Sequence, residues 1–143
     1  MTEEIDWLVG VDWASTEHQV CLTDAAGAVM DERAFAHSGA GLDRLCRWLL
    51  QTTGAHPGSI GVAIEVPHGP VVETLLERGF AVHAINPKQL DRFRDRFTMA
   101  GSKDDRLDAR VLADALRTDR PRLRRLHQLS DEIVALREVS RLV

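Results

Sequence analysis

Tyrosine is absent from this 143-residue chain, and aromatic residues make up only 5% of it. That scarcity argues against a surface that binds nucleic acid by stacking bases on a row of exposed rings. No apolar run approaches the roughly 20 residues that span a bilayer, so no membrane segment is expected. The opening stretch, MTEEIDWLVG, is acidic where a secretory leader would be basic, which points to the cytoplasm. Cys21 and Cys46 fit no metal-ligand spacing and are too few for a disulfide framework, so both are expected to be buried and reduced. No internal repeat or low-complexity segment is present.

What remains is an ordinary balance for a folded protein, 44% hydrophobic and 28% charged. The length supports one domain with a real core. The formal net charge of −4 conceals a segregation. Residues 88–125 hold 12 Lys/Arg against 7 Asp/Glu, whereas the rest of the chain holds 6 against 15. A basic segment on an otherwise acidic chain can bind phosphates. A solvated, salt-bridged helical surface is the plainer reading of the same charges.

Hydrophobic periodicity orders the chain as β-β-β-α-β-α-β-α-α. WLVGVDWAS is a short apolar run closed by a carboxylate and small residues, as in a buried strand. HQVCLTDAAG alternates, with Val20 and Leu22 on one face, and turns at Gly27; AVMDERAFAH follows at hairpin distance. Leu42, Leu45, Cys46 and Leu49 then repeat at helical spacing, and Gly54 can end that helix. SIGVAIEVP is another buried strand, broken by Glu65. GPVVETLLERG is a short helix with Pro70 near its start, and FAVHAINP a strand stopped by Pro87. From Lys88 the chain reads as helical, first through Leu90, Phe93 and Phe97, then through Leu107, Val111, Leu112 and Ala115. RPRLRRLHQLS reads as a connection, and Leu129, Ile133, Leu136 and Val143 as a roughly heptad seam in a last helix. The fold class is α/β: a mixed sheet that begins with a three-stranded antiparallel meander and carries helices on its faces. Residues 1–126 form the domain in this reading, and 127–143 begin a helical linker or coiled coil.

Four carboxylates interrupt the pattern. Asp12 and Glu65 stand at apolar strand runs, where an unpartnered charge is costly to bury. Asp105 and Asp108, three apart, project from one helical face. Asp104 and Asp105 also fit the simpler role of capping a helix N-terminus. If the first and fourth strands are adjacent and parallel, Asp12 and Glu65 emerge together at one sheet edge. Carboxylates gathered this way repel unless cations lie between them, and Mg²⁺ prefers such oxygen ligands. Two ions about 4 Å apart would serve the attacking and the leaving oxygen of a phosphodiester displacement. Spacing alone leaves both cap and metal site open for the later acids.

Four blocks carry a family resemblance: VGVDWAS, AIEVPHGP, AINPKQLDRFRDRF and SKDDRLDARVLADAL. Together they resemble the N-terminal domain of the DEDD-type insertion-sequence transposases, a family that includes the Piv-type DNA invertases and the RNA-guided bridge recombinases. The resemblance covers nearly the whole chain. It implies a RuvC-like fold of the ribonuclease-H superfamily, with the four catalytic and metal-binding acids on Asp12, Glu65, Asp105 and Asp108. It also implies Mg²⁺ or Mn²⁺ as cofactor, and cleavage and strand transfer of DNA as the reaction. Two departures stand out. Asp104 replaces a small hydroxyl residue and is a neighbour of the site; Val66-Pro67-His68-Gly69-Pro70 replaces a threonine-glycine-aromatic turn, with His68 as a surface turn residue. The family's nucleophilic serine belongs to a C-terminal transposase domain to which nothing here corresponds, so recombination is expected to need that domain.

In this setting Lys88, Arg92, Arg94, Arg96 and Lys103, with Arg120, Arg122, Arg124 and Arg125 beyond the acidic block, become candidate phosphate contacts. Such contacts position a backbone without reading its sequence. DNA is the expected partner. The guided relatives delegate specificity to a structured RNA, which makes a guide RNA a further candidate. The terminal heptad pattern points to a homo-oligomer, dimer or higher. Trp48 belongs to an amphipathic helix, and Trp13 is expected to pack on the sheet. Two readings compete. VGVDWAST before a hairpin also resembles the first phosphate loop of sugar kinases and actin-like ATPases, which requires a second glycine-rich loop that the sequence lacks. The other is a non-catalytic nucleic-acid-binding and oligomerisation module.

Overall fold

Alternation in the first forty residues becomes a meander. A computed structural model of the chain, describing residues 4–96 and 107–128, places β1 at Trp7–Asp12, β2 at Glu17–Asp24 and β3 at Val29–Ala36. The pairings β1–β2 and β2–β3 are both antiparallel. Asp24 shapes the hairpin turn by accepting hydrogen bonds from the Ala26 and Ala28 backbone N–H groups. The chain continues through α1 (Gly39–Thr53), β4 (Ile60–Ile64), α2 (Pro70–Glu77), β5 (Ala81–Ala84), α3 (Pro87–Arg94), α4 (Leu107–Asp119) and β6 (Arg124–Arg125). β4 lies parallel to β1 and β5 parallel to β4, so the sheet order is β3-β2-β1-β4-β5-β6. This is the mixed α/β arrangement expected from the element order. One strand was not expected: β6, read as part of a connection, closes antiparallel on β5. Two residues are too few to leave a periodic signal.

Helix ends follow local chemistry. Ser38 caps α1, its hydroxyl accepting from the Gly41 N–H at 2.9 Å, and Gly54 ends the helix in the left-handed region at φ 62°. A reciprocal capping box between Asn86 and Gln89 opens α3, with Pro87 in its first turn.

The central strands sort their residues by size. Val9 and Val11 of β1, with Ile60, Val62 and Ile64 of β4, enter one core with Leu45 and Leu49 of α1 and Val72 and Leu75 of α2. The opposite face carries Leu8, Gly10, Gly61 and Ala63, against which α3 and α4 pack through Leu90, Phe93, Val111, Leu112 and Leu116. Gly10 sets the spacing of that layer. A Cβ there would lie 1.8 Å from the Ala109 carbonyl oxygen and 2.7 Å from the Ala113 nitrogen, so α4 rests directly on the β1 backbone. A part-buried ion pair adds a lateral brace: Arg110 of α4 reaches Glu32 of β3 at 2.7 Å.

Both cysteines are buried and free, and burial, followed by the Glu32 charge, pushes the Cys21 thiol up to about 12. Trp48 is buried against Phe35, as its helix predicts. Trp13 lies just past β1, 42% exposed, and packs on His18 of β2 and on His37, just beyond β3. Among the described residues no helix is long and apolar enough to cross a membrane. Phe97 and the heptad seam from Leu129 lie outside the described residues.

Candidate functional site

The register of β1 and β4 pairs Val11 with Ile64, so Asp12 and Glu65 leave the carboxyl ends of two adjacent parallel strands. Crevices at such strand ends are where open α/β sheets place ligands. Alternation from Leu8 and Gly10 carries Asp12 to the α4 face, and alternation from Gly61 and Ala63 carries Glu65 to the same side. Both acids are half-buried.

Helix α4 runs antiparallel to β1. Leu116 lies over Gly61, which pairs with Leu8, while Ala109 and Ala113 lie over Gly10. Two residues further along β1, Asp12 is level with the first turn of α4, where Asp108 stands. Three of the four expected acids thus belong to one end of one face. Asp105 lies outside the described residues, as do Asp104 and Lys103.

Asp108 is not left to solvent. Arg94 donates to it through Nε and Nη2, both at 2.8 Å, and donates through Nη1 to Asp91 at 2.6 Å. These bonds, that to Asp108 first, raise the guanidinium pKa above its ordinary value. Paired forks of this kind are both strong and geometrically specific. Nothing in the sequence announces the contact, because the partners stand 14 positions apart on different helices. Among the described residues, no three His, Cys, Asp or Glu side chains gather closely enough to hold a metal ion. Asp108 is turned to Arg94, and the fourth acid is outside the described segment. The donor chemistry still suits a hard divalent cation: carboxylates alone, with a guanidinium cation already seated on one of them.

On the other face at the same end lies a pair that sequence reasoning passed over. His18 is fully buried in β2. Its Nδ1 accepts from the Ala14 N–H at 3.1 Å, which puts its proton on Nε2, and Nε2 donates to His37 Nδ1 at 2.9 Å. Burial, followed by the His37 charge, lowers the His18 pKa to about 4. The signal was available: His18 is in phase with Val20 and Leu22, and so points inward. His68 is exposed in its turn.

The basic residues divide by surroundings. Lys88, Arg92 and Arg124 are exposed. Arg96 stacks over Phe93 and donates to Thr118 and, at 3.5 Å, to Asp119, which Arg122 also reaches at 3.5 Å. The Thr118 hydroxyl, with Arg96 and Arg122 behind it, holds the Asp119 carboxyl below its ordinary value. Gln89, Arg92, Phe93, Arg96, Asp119 and Arg122 line one groove between α3 and the end of α4. Arg120 lines a separate hollow with Ile5, Leu8 and Leu116. Arg125 turns to the backbone, donating to the Val82 and Leu126 carbonyls. Arg94 is engaged as above.

Known proteins resemble this chain along most of its length. A family model described as a transposase, of the IS110 DEDD type, matches residues 9–142. The chain is 61% identical over 144 residues to "Putative transposase y4uE" of Sinorhizobium fredii, an alignment covering 99% of this chain and 40% of that protein. It is 37% identical over 110 residues to "Mini-circle putative transposase for IS117" of Streptomyces coelicolor, covering 77% of this chain and 27% of that protein. The chain therefore spans less than half the length of these curated relatives. Among solved structures, a ROK family glucokinase from Streptomyces griseus in complex with glucose and AMPPNP is 16% identical, with a TM-score of 0.44, covering 69% of this chain and 39% of that one.

Proposed function

The chain belongs to the IS110-type DEDD transposase family, and from that membership we propose that it forms the metal-dependent catalytic domain of a DNA transposase. Its reaction is cleavage and joining of phosphodiester bonds during insertion-sequence mobility. The observation that supports this most is the convergence of strand ends: Asp12 and Glu65 leave adjacent parallel strands on the face where α4 begins beside Asp108. In this reading Asp12, Glu65, Asp105 and Asp108 are the catalytic acids and hold Mg²⁺ or Mn²⁺. Bound there, the cations supply the Lewis acidity that steadies the attacking and leaving oxygens.

The chain's own residues do the positioning. The register ends at Val11 and Ile64, the residues just before Asp12 and Glu65, and the bare backbone of Gly10 lets α4, with Asp108 in its first turn, lie directly on β1. Lys88, Arg92, Arg96, Arg120, Arg122 and Arg124 hold the DNA backbone through phosphates, with Lys103 next to the acids. Residues 1–126 are the catalytic domain in this reading, and the protein works as a homo-oligomer. The greater length of the relatives leaves room for a C-terminal domain that supplies the nucleophilic serine. A structured RNA is a candidate guide, and the cytoplasm is the compartment.

A second reading, a nucleic-acid-binding and oligomerisation module without catalysis, is favoured by one observation: Arg94 takes both oxygens of Asp108. Calorimetric titration with Mn²⁺, run beside DNA binding in chelator, separates the two. The catalytic reading expects Mn²⁺ to bind the wild type and not Asp12→Asn, with DNA binding retained in both. DNA binding by a wild type that takes up no Mn²⁺ supports the module instead.

A further inference from the structure

We propose that Arg94 is a positioning residue that holds Asp108 until a divalent cation arrives and then surrenders the carboxylate to it. The proposal rests on the metal reading above. Packing fixes the backbone of Asp108, because the next residue, Ala109, lies against Gly10. Only the side chain is then free to choose a partner, and Arg94 covers both of its oxygens at 2.8 Å.

The pair is shielded. The Arg94 and Asp108 side chains are 34% and 28% exposed, so solvent screens them less than a surface ion pair. A dication at Asp108 would meet a full positive charge within bonding range, and the two cations compete for one carboxylate. Arg94 also has somewhere to go. Asp91, one turn earlier on α3, already accepts from Nη1 at 2.6 Å, so the guanidinium stays anchored when Asp108 leaves it. The same side chain that preorganises the acid thus sets a threshold for loading the site, and keeps Asp108 neutralised below that threshold.

The test uses the 143-residue chain, Mn²⁺ as probe, and two readouts: melting temperature in chelator and Mn²⁺ affinity by calorimetry. Arg94→Gln is expected to lower the melting temperature without metal and to tighten the Mn²⁺ dissociation constant roughly tenfold, equivalent to about 1.4 kcal/mol. Opposite signs are the signature, since a merely structural ion pair would lower stability and leave affinity unchanged or weaker. The tightening should persist in about 0.5 M salt, where distant charges are screened. Arg94→Lys keeps the charge but loses the fork, and should fall between wild type and Arg94→Gln. Unchanged or weakened affinity in Arg94→Gln, or a tightening that salt abolishes, overturns the latch and leaves the metal site standing. Absence of Mn²⁺ binding to both proteins overturns the metal reading and the latch with it.

Discussion

Gly10→Ala should be among the most damaging glycine-to-alanine changes at the described residues. The added Cβ would sit 1.8 Å from the Ala109 carbonyl oxygen, 2.7 Å from the Ala113 nitrogen and 2.9 Å from the Ala109 carbonyl carbon. Ordinary van der Waals contact begins near 3.4 Å, so α4 or β1 must move by about 1.5 Å, and all three obstacles are backbone atoms that no rotamer change can clear. Overpacking in a core costs about 1–3 kcal/mol, and this site belongs at or beyond the top of that range. In a domain of this size about 3 kcal/mol lowers the melting temperature by roughly 6–15 °C. Thermal unfolding followed by circular dichroism measures it directly. Gly39→Ala is the matched control: nothing lies within 4 Å of its Cβ position at the start of α1, so it should be neutral or slightly stabilising. The same displacement lifts Asp108 away from Asp12, so Mn²⁺ affinity should fall with stability. A Gly10→Ala protein melting within about 2 °C of wild type would refute the claim that α4 rests on the β1 backbone.

Two further outcomes follow from the packing. Arg110→Met leaves the Glu32 side chain, only 12% exposed, without its guanidinium at 2.7 Å; discounting for the partial exposure of Arg110, the cost is about 2 kcal/mol by urea unfolding. The double change Glu32→Met/Arg110→Met should recover most of it, and a double mutant no more stable than the single would contradict the ion-pair account. His18 has a folded-state pKa of about 4 against 6.5 in the unfolded chain, so its contribution is complete above pH 6.5 and is lost as pH falls toward 4. It should add a slope of at most about 1.4 kcal/mol per pH unit across that window. His18→Gln should flatten the slope, and an identical pH profile in the variant counts against a neutral buried imidazole.

The strand and helix order was legible because each element carries a clean period: alternation in β2, helical spacing in α1, short unbroken apolar runs in β1 and β4. The adjacency of Asp12 and Glu65 was legible only as a condition, met once β1 and β4 pair in parallel. Other features had no local signal. β6 is two residues long and owes its existence to the edge of β5. Trp13's packing against the sheet was legible, but the histidine pair that receives it, His18 of β2 with His37, was not. The Arg94–Asp108 contact is chosen by how α3 and α4 pack, which no spacing within either helix encodes. The small residues under α4 were visible in VGV and IGVAI, but their meaning depends on which helix covers that face.

The most direct measurement is an electron paramagnetic resonance titration of Mn²⁺ into the wild-type chain and into Glu65→Gln, where binding removes the free-ion signal. Convergence of the acids predicts saturable binding by the wild type that Glu65→Gln loses while keeping its fold and melting temperature. Equal Mn²⁺ binding by the two proteins would contradict it, because a site that ignores Glu65 is not the one formed where β1 and β4 end.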